Sequence, residues 1–189
     1  NYTFNSGDRL EFNYDARFER LFAPYEISND VVLPAGNYRF DRWGLEIGTS
    51  SKRRWKFDNQ WHFGTYYSGR ANDFQGAFQY KVAPNFQGQV SYNQTFARLH
   101  EGNFVSRVLG LRADYSVSPM LTFFNLIQFD NESRNLGWQT RARWILRPGR
   151  EIITLFSQGW IKEYGSYGDP VFRAADRTLA LKAQYTFRF

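Results

Sequence analysis

The sequence predicts an all-β protein, an antiparallel transmembrane β-barrel of about ten strands, and three observations carry that prediction. Apolar and polar side chains alternate with period two in successive segments, which gives each segment one apolar and one polar face. The segments are about ten to fourteen residues long, whereas strands of globular proteins usually have about five to six. About nine to eleven tilted residues are enough to cross a bilayer. The apolar faces are also rich in aromatic side chains, which make up 20% of the 189 residues.

The alternating segments follow one another along the whole chain. The predicted strands lie at 9–22, 38–49, 55–65, 74–83, 86–97, 105–117, 120–130, 136–147, 151–162 and 178–189. The side chains that share the apolar faces are Leu10, Phe12, Tyr14, Ala16 and Phe18; Trp43, Leu45 and Ile47; Trp55, Phe57, Trp61 and Phe63; Phe74, Phe78, Tyr80 and Val82; Phe86, Val90, Tyr92 and Phe96; Val105, Leu109, Leu111, Ala113, Tyr115 and Val117; Leu136, Trp138, Ala142, Trp144 and Leu146; and Leu179, Leu181, Ala183, Tyr185, Phe187 and Phe189. In 120–130 and 151–162 apolar residues fall on both faces, so these two segments are predicted as strands without an assigned facing.

The connections between the strands alternate in length. Short connections, bent by proline, glycine or small polar residues, lie at 50–53, 83–85, 118–119 and 147–149. The other connections lie at 23–37, 68–73, 98–103, 130–135 and 163–174. Tight periplasmic turns that alternate with longer outer loops are typical of outer-membrane barrels, so both chain ends are expected on the tight-turn side.

Composition narrows the classes of protein. The chain has no cysteine, which excludes disulfides, thiolate zinc sites, iron–sulfur clusters and cysteine nucleophiles. No run approaches 18 apolar residues, so no transmembrane helix is predicted. The net charge is +6, but the basic residues form no exposed stripe and no glycine-rich phosphate loop is present, so nucleic-acid binding is not predicted. Length predicts one domain, residues 1–189, and the lack of an initiator Met and a signal peptide predicts either a mature chain or a piece of a longer protein.

Two sets of side chains follow from the alternation. The set predicted to face lipid is Trp55, Phe57, Trp61, Tyr80, Trp138, Trp144 and Phe187. The set predicted to line the lumen is Lys56, Asp58, Lys81, Arg112, Asp114, Arg141, Arg143, Arg147, Lys182 and Arg188. Three polar residues, Asn59, Gln94 and Arg107, fit badly because they share the parity of the apolar faces.

Two interpretations of the lumen charges stay open. In a barrel of ten strands the inward cations would pair with carboxylates such as Glu11 and Asp15 and fill the interior, because about eight strands enclose little more than side chains. In a barrel with more strands the same cations would line a pore that attracts anions.

Catalytic and metal chemistry find little support. His62 and His100 stand far apart, and neither has a second histidine at ligand spacing, so no metal and no cofactor is predicted. A hydrolase at the outer rim is the alternative function, with His100-Glu101 and the nearby Ser68 and Ser106 as base and nucleophile. The motif Gly-x-Ser-x-Gly is absent, and the chain is predicted not to be an enzyme.

Several strings of residues carry a resemblance to a known family. They are Leu33-Pro34-Ala35-Gly36-Asn37-Tyr38-Arg39-Phe40, Gly64-Thr65-Tyr66-Tyr67-Ser68-Gly69, Leu99-His100-Glu101-Gly102-Asn103-Phe104, Gln128-Phe129-Asp130-Asn131, and Ala142-Arg143-Trp144 followed by Arg147-Pro148-Gly149. In this order they resemble the C-terminal part of a domain-of-unknown-function family of Gram-negative bacteria. Its longer members resemble a fusion of an N-terminal carbohydrate-binding-like module with an outer-membrane barrel. The C-terminal Tyr185, Phe187 and Phe189 are also similar to the signal that the barrel-assembly machinery recognises.

The resemblance implies a location and a set of partners. We expect a protein of the bacterial outer membrane that acts as a membrane anchor or a solute pore, with glycan-related uptake or binding. The expected partners are outer-membrane lipid, the barrel-assembly machinery during biogenesis, a glycan ligand bound through the missing N-terminal module, and proteins of an envelope complex. A structural role in such a complex is a further alternative, beside the rim-site hydrolase.

Overall fold

The computed structural model describes residues 1–164 and 169–186. Within these residues the strands are β1 (Tyr2–Thr3), β2 (Arg9–Leu21), β3 (Tyr25–Ser28), β4 (Val31–Leu33), β5 (Gly36–Gly48), β6 (Trp55–Tyr66), β7 (Gly69–Ala83), β8 (Phe86–Arg98), β9 (Asn103–Ser118), β10 (Leu121–Asp130), β11 (Asn135–Arg147), β12 (Arg150–Tyr164) and β13 (Pro170–Tyr185). The described part of the chain contains no helix long and apolar enough to cross a membrane.

Eleven of the strands form one antiparallel sheet. Its order is β1-β2-β5-β6-β7-β8-β9-β10-β11-β12-β13, while β3 and β4 form a separate hairpin. Each of the ten long strands lies beside its neighbour in the chain, which is the pairing that short turns between alternating segments favour. The all-β, antiparallel fold and the ten predicted strands are therefore confirmed, the last strand as far as Tyr185, since 187–189 lie outside the described residues.

The closure of the sheet into a barrel is not seen. Among the residues that the structure describes, β1 and β13 stand at the two ends of the strand order and do not pair with each other. Strand β1 pairs with Arg9 and Leu10, and no other strand of the described residues continues along that side of β2. Alternation predicts which face a side chain takes, but closure depends on pairing between the first and last strands, which alternation leaves open.

The predicted connections need three corrections. Strand β7 already begins at Gly69, so the connection predicted at 68–73 is a two-residue turn in which Tyr67 has a φ of 44°. Strand β12 ends at Tyr164 and β13 begins at Pro170, so the connection is shorter than the predicted 163–174. The predicted loop 23–37 contains the hairpin β3–β4, whose strands are too short to produce a visible period.

The chain divides into two compact units. The first comprises Asn1–Phe78 and Ser91–Val108, and the second comprises Gln79–Val90 and Leu109–Phe189. In the first unit the register aligns Tyr14 with Trp43 and Trp43 with Phe63, so that apolar side chains form a row across β2, β5 and β6. Neighbouring residues on these strands point to the opposite face, where polar side chains predominate.

The register of the second unit assigns the two strands whose facing the sequence left open. Trp138 lies opposite Ile127 on β10 and Gln158 on β12, so odd residues of β10 and even residues of β12 share the apolar face. Phe124 and Leu155 both lie opposite Arg141 and therefore belong to the polar face. The polar face of this unit consequently carries apolar side chains as well as cations.

Gly64 on β6 lies very close to the backbone of β5, so that only glycine fits there. Gly64 has a φ of 144°, and an added Cβ would lie 2.1 Å from the main-chain oxygen of Asp41. Both the conformation and the contact exclude a larger residue at this point of the sheet.

Asn59, Gln94 and Arg107, the three polar residues that share the apolar faces, all form hydrogen bonds. The Nδ2 of Asn59 donates to the main-chain oxygen of Gln75 at 3.1 Å. Gln94 accepts through Oε1 from the hydroxyl of Tyr92 at 2.7 Å and from Nε of Arg107 at 3.2 Å. Their polar groups thus have hydrogen-bond partners within the sheet, which lowers the free-energy cost of placing them on an apolar face.

Candidate functional site

The hairpin β3–β4 builds a small buried core in the first unit. The buried apolar side chains there are Val31, Leu33, Ala71, Ala97 and Leu99. Leu33 is 0% exposed, and Gly102 passes so close that an added Cβ would lie 3.0 Å from Cγ2 of Val31. Since Ala71 and Ala97 have the polar-face parity of β7 and β8, the hairpin covers the loop end of that polar face.

Tyr67, in the turn between β6 and β7, packs against this core and forms a hydrogen bond to β2. The hydroxyl of Tyr67 donates to Oε2 of Glu19 at 2.7 Å. Burial first, and this hydrogen bond second, raise the pKa of Tyr67 above its usual range. Tyr67 is therefore a neutral donor at physiological pH.

The polar face of the first unit encloses a cavity of about 480 Å³. Arg42 is buried beneath it, donates to Asp73 and, at 3.3 Å, to the main-chain oxygen of His62, and lies 5.2 Å from the ring centre of Tyr66. Asp15 and Arg17 form a further ion pair at 2.5 Å. Cations and carboxylates balance here, as the interpretation of a filled interior expects.

The polar face of the second unit contains two well-connected ion pairs. Arg112 contacts Asp114 at 2.8 Å, and Asp114 also accepts from Nε2 of Gln87 at 2.8 Å. Arg143 donates to Glu151 through Nε and Nη2 at 2.8 and 2.6 Å. Both arginines are held in place by charge-assisted hydrogen bonds.

The other residues predicted to line the lumen differ in whether they have an ion-pair partner. Lys56 pairs with Asp58 at 2.5 Å on the polar parity of β6. Within the described residues, Arg141, Arg147 and Lys182 have no carboxylate partner, and the guanidinium of Arg141 lies 4.7 Å from the ring centre of Phe124. Lys81 lies on the polar parity of β7 with an interaction of its own. Arg188 lies outside the described residues.

The predicted lipid-facing aromatics lie on the apolar face and are largely uncovered. Trp55, Trp61, Tyr80, Trp138 and Trp144 are all exposed, with Trp144 at 50%, and Phe57 is half-buried. In the described part of the chain no second sheet packs on this face. Of the predicted assembly signal, Tyr185 accepts from Nη2 of Arg150 at 2.8 Å, whereas Phe187 and Phe189 lie outside the described residues.

Ser68 and His100-Glu101 of the alternative hydrolase site come together without forming a catalytic pair, while Ser106 lies on β9. The hydroxyl of Ser68 donates to Glu101, and the main-chain nitrogen of His100 donates to Oγ of Ser68 at 3.2 Å. In this arrangement Glu101, rather than the imidazole of His100, accepts the hydrogen bond from the hydroxyl of Ser68. A serine nucleophile needs a base hydrogen-bonded to its hydroxyl, and the imidazole does not occupy that place.

The described residues contain no group of histidines, cysteines and carboxylates arranged to hold a metal ion.

A tight ion pair that the sequence analysis missed ties the first residues to the turn between β5 and β6. Arg53 donates to both carboxylate oxygens of Asp8, at 2.6 and 2.9 Å, and the main-chain nitrogen of Ser50 donates to Asp8 at 2.9 Å. These hydrogen bonds, with that of Arg53 the strongest, hold the pKa of Asp8 well below its usual range. Because the folded pKa is lowered, the contribution to stability is present above the ordinary pKa and is lost as the pH falls toward the folded value.

We therefore expect Arg53→Gln to raise the pKa of Asp8 toward that of a free aspartate. Carbon-13 NMR titration of the carboxylate in detergent micelles measures the shift. Lys52→Gln removes a neighbouring charge that does not bind Asp8, so it should leave the pKa of Asp8 in place. A low pKa that survives Arg53→Gln would contradict the assignment.

The fold and its two faces define a class of protein, an all-β protein built on an antiparallel meander with an uncovered apolar face and a charged polar face. No family model, no curated protein and no solved structure matches the chain.

Proposed function

We propose that the chain is an outer-membrane β-barrel, or the C-terminal part of one, that serves as a membrane anchor or a solute pore. The observation that carries the proposal is the uncovered apolar face. Leu111 and Trp144, on strands inside the sheet, are 46% and 50% exposed, and large apolar side chains are exposed on nearly every long strand. Monomeric soluble proteins rarely expose apolar patches beyond about 300–600 Å². Hydrocarbon would be the solvent in which such a face is stable.

The position of the tryptophans supports the same proposal. All six have the apolar parity of their strands, Trp43 on β5, Trp55 and Trp61 on β6, Trp138 and Trp144 on β11, and Trp160 on β12. Outer-membrane barrels place aromatic residues on the lipid face near the two interfaces. The paired charges of the opposite face are then suited to a water-filled interior.

The open strand edges belong to the proposal. Unpaired backbone N–H and C=O groups are not tolerated in hydrocarbon, so β2 and β13 would need strand partners in the membrane. We propose that the barrel closes by pairing at these edges, directly or through further strands of a longer chain, as the family resemblance implies.

Quenching by brominated lipid tests which face meets hydrocarbon. One variant keeps Trp138 and has the other five tryptophans replaced by phenylalanine; its matched partner lacks all six and carries Gln139→Trp. In vesicles of brominated phosphatidylcholine we expect strong quenching of Trp138 and weak quenching at position 139, because adjacent strand residues face opposite sides. Equal quenching at both positions, or none at either, contradicts the membrane proposal.

Conductance separates the two roles. Single-channel recording of the protein in planar bilayers should give discrete openings if the interior is a pore. Quenching of Trp138 without conductance at any voltage leaves the anchor as the function.

A further inference from the structure

An apolar strip interrupts the polar face of the second unit. The registers place residues in two neighbouring rows across β10, β11, β12 and β13. One row is Phe124, Arg141, Leu155 and Ala180, and the next is Thr122, Arg143, Ile153 and Lys182. Neighbouring rows on one face of a sheet are about 6.5–7 Å apart along the strands. Aliphatic and cationic side chains therefore lie within one ligand length of each other.

A cavity of about 600 Å³ lies over these rows. Its lining includes three cationic side chains, Arg112, Arg141 and Lys182, and no carboxylate. The volume falls within the range of about 300–1,000 Å³ that is usual for small-molecule sites. The cavity is thus large enough for a small organic molecule.

The charges around the cavity do not cancel. Arg112 is neutralised by Asp114 at 2.8 Å. Arg141 and Lys182 have no carboxylate partner among the described residues, and the guanidinium of Arg141 lies 4.7 Å from the ring centre of Phe124. Two positive charges thus remain to bind an anion. A guanidinium presents paired N–H donors that match both oxygens of a carboxylate.

The floor of the cavity is apolar, although it belongs to the polar face. Ile153 and Leu155 are half-buried, and Leu126 on β10 is an exposed part of the same lining. Apolar carbon that faces water gains about 25 cal/mol for each Å² that a ligand covers. A small hydrophilic anion would leave this gain unused, whereas an alkyl chain would cover the strip. This strip also accounts for the two strands that are apolar on both faces.

We propose that this cavity binds an amphipathic anion, an alkyl carboxylate of medium length, with its carboxylate between Arg141 and Lys182 and its chain along Ile153 and Leu155. The inference rests on the proposed function, since it takes the polar face as the water-filled interior. It identifies the class of solute that the interior would hold or pass.

Equilibrium dialysis with radiolabelled decanoate tests the site. The full chain is placed in lipid nanodiscs, and uptake by empty discs is subtracted. We expect saturable binding of one decanoate per chain. Arg141→Gln and Lys182→Gln should each weaken the Kd about tenfold, because each removes a charge-assisted hydrogen bond. Arg141→Lys keeps the charge but loses the paired donors, so its Kd should lie between those of the parent and Arg141→Gln.

Matched variants separate the parts of the site. Leu155→Ser should weaken decanoate binding, because it removes apolar surface beneath the chain. Arg147→Gln removes a cation of the same polar parity that does not line the cavity, and it should leave the Kd unchanged. Acetate should bind far more weakly than decanoate. Non-saturable uptake, equal affinity in the parent and both glutamine variants, or acetate binding as tight as decanoate binding would overturn the proposal.

Quenching in the same nanodiscs distinguishes the two proposals. Strong quenching of Trp138 by brominated lipid without saturable decanoate binding overturns the site alone. Loss of the difference between positions 138 and 139 overturns the membrane proposal. Each glutamine variant should keep that difference, which shows that it is folded in the disc.

Discussion

Leu111→Arg should lower the free energy of unfolding in lipid vesicles by about 2–4 kcal/mol, the cost of an arginine near the middle of the lipid face of a barrel. Leu111 lies at the centre of β9 and is 46% exposed, on the face opposite Arg112. In water an exposed leucine gains little from its position, so the same substitution would be close to neutral. The size of the effect thus reports the solvent of the apolar face. Urea unfolding followed by tryptophan fluorescence measures it.

A matched substitution on the other face provides the control. Gln89 is the fourth residue of β8 and has the parity of Gln87, which contacts Asp114 on the polar face. Gln89→Arg adds the same side chain to the polar face, which the proposal places in water, and should change stability by no more than about 0.5 kcal/mol. If both arginines have the same small effect, the apolar face meets water and the membrane proposal is wrong.

Leu33→Ala should release the hairpin β3–β4 from the sheet at a cost of about 2–5 kcal/mol. Leu33 is fully buried among Val31, Ala71 and Leu99, so its truncation leaves a cavity that the short strands have little means to fill. The effect should be local, since the ten long strands keep their pairing. Hydrogen exchange of the amides of β3 and β4 measures the free energy of opening.

Val32 supplies the comparison within the same hairpin. Its side chain is exposed, between the two buried residues of β4. Val32→Ala should leave the exchange of the hairpin amides nearly unchanged. Comparable acceleration in both variants would mean that Leu33 does not anchor the hairpin.

The strands could be predicted because alternation is a local property of the chain. The first residues of β7 were missed for a local reason. Arg70 and Asn72 have the apolar parity of that strand and interrupt the alternation. The hairpin β3–β4 was missed for a different reason. Strands of four and three residues are too short to show a period, and their apolar residues bury against distant parts of the chain.

The candidate site was less predictable than the strands. The pair Arg143–Glu151 spans a single tight turn and follows from the register of one hairpin. Arg42–Asp73 joins side chains of β5 and β7, which are not neighbours in the strand order, so local patterns give no signal for it. The facing of Phe124 also depended on register, because both faces of β10 are apolar in sequence. The cavity over the apolar strip could be recognised only once that facing was known.

The pairing of each long strand with its chain neighbour has a kinetic consequence. Every pairing between long strands except that of β2 with β5 closes only a short loop, so growth of the sheet can proceed by successive hairpins, each formed in about 1–10 μs in simple peptides. Contacts between residues near in sequence favour rapid folding, so the growth of the sheet should be fast for its size. If the barrel proposed above forms, its closing strand pair would join residues far apart in the chain, and that step, rather than the growth of the sheet, would limit the rate of folding.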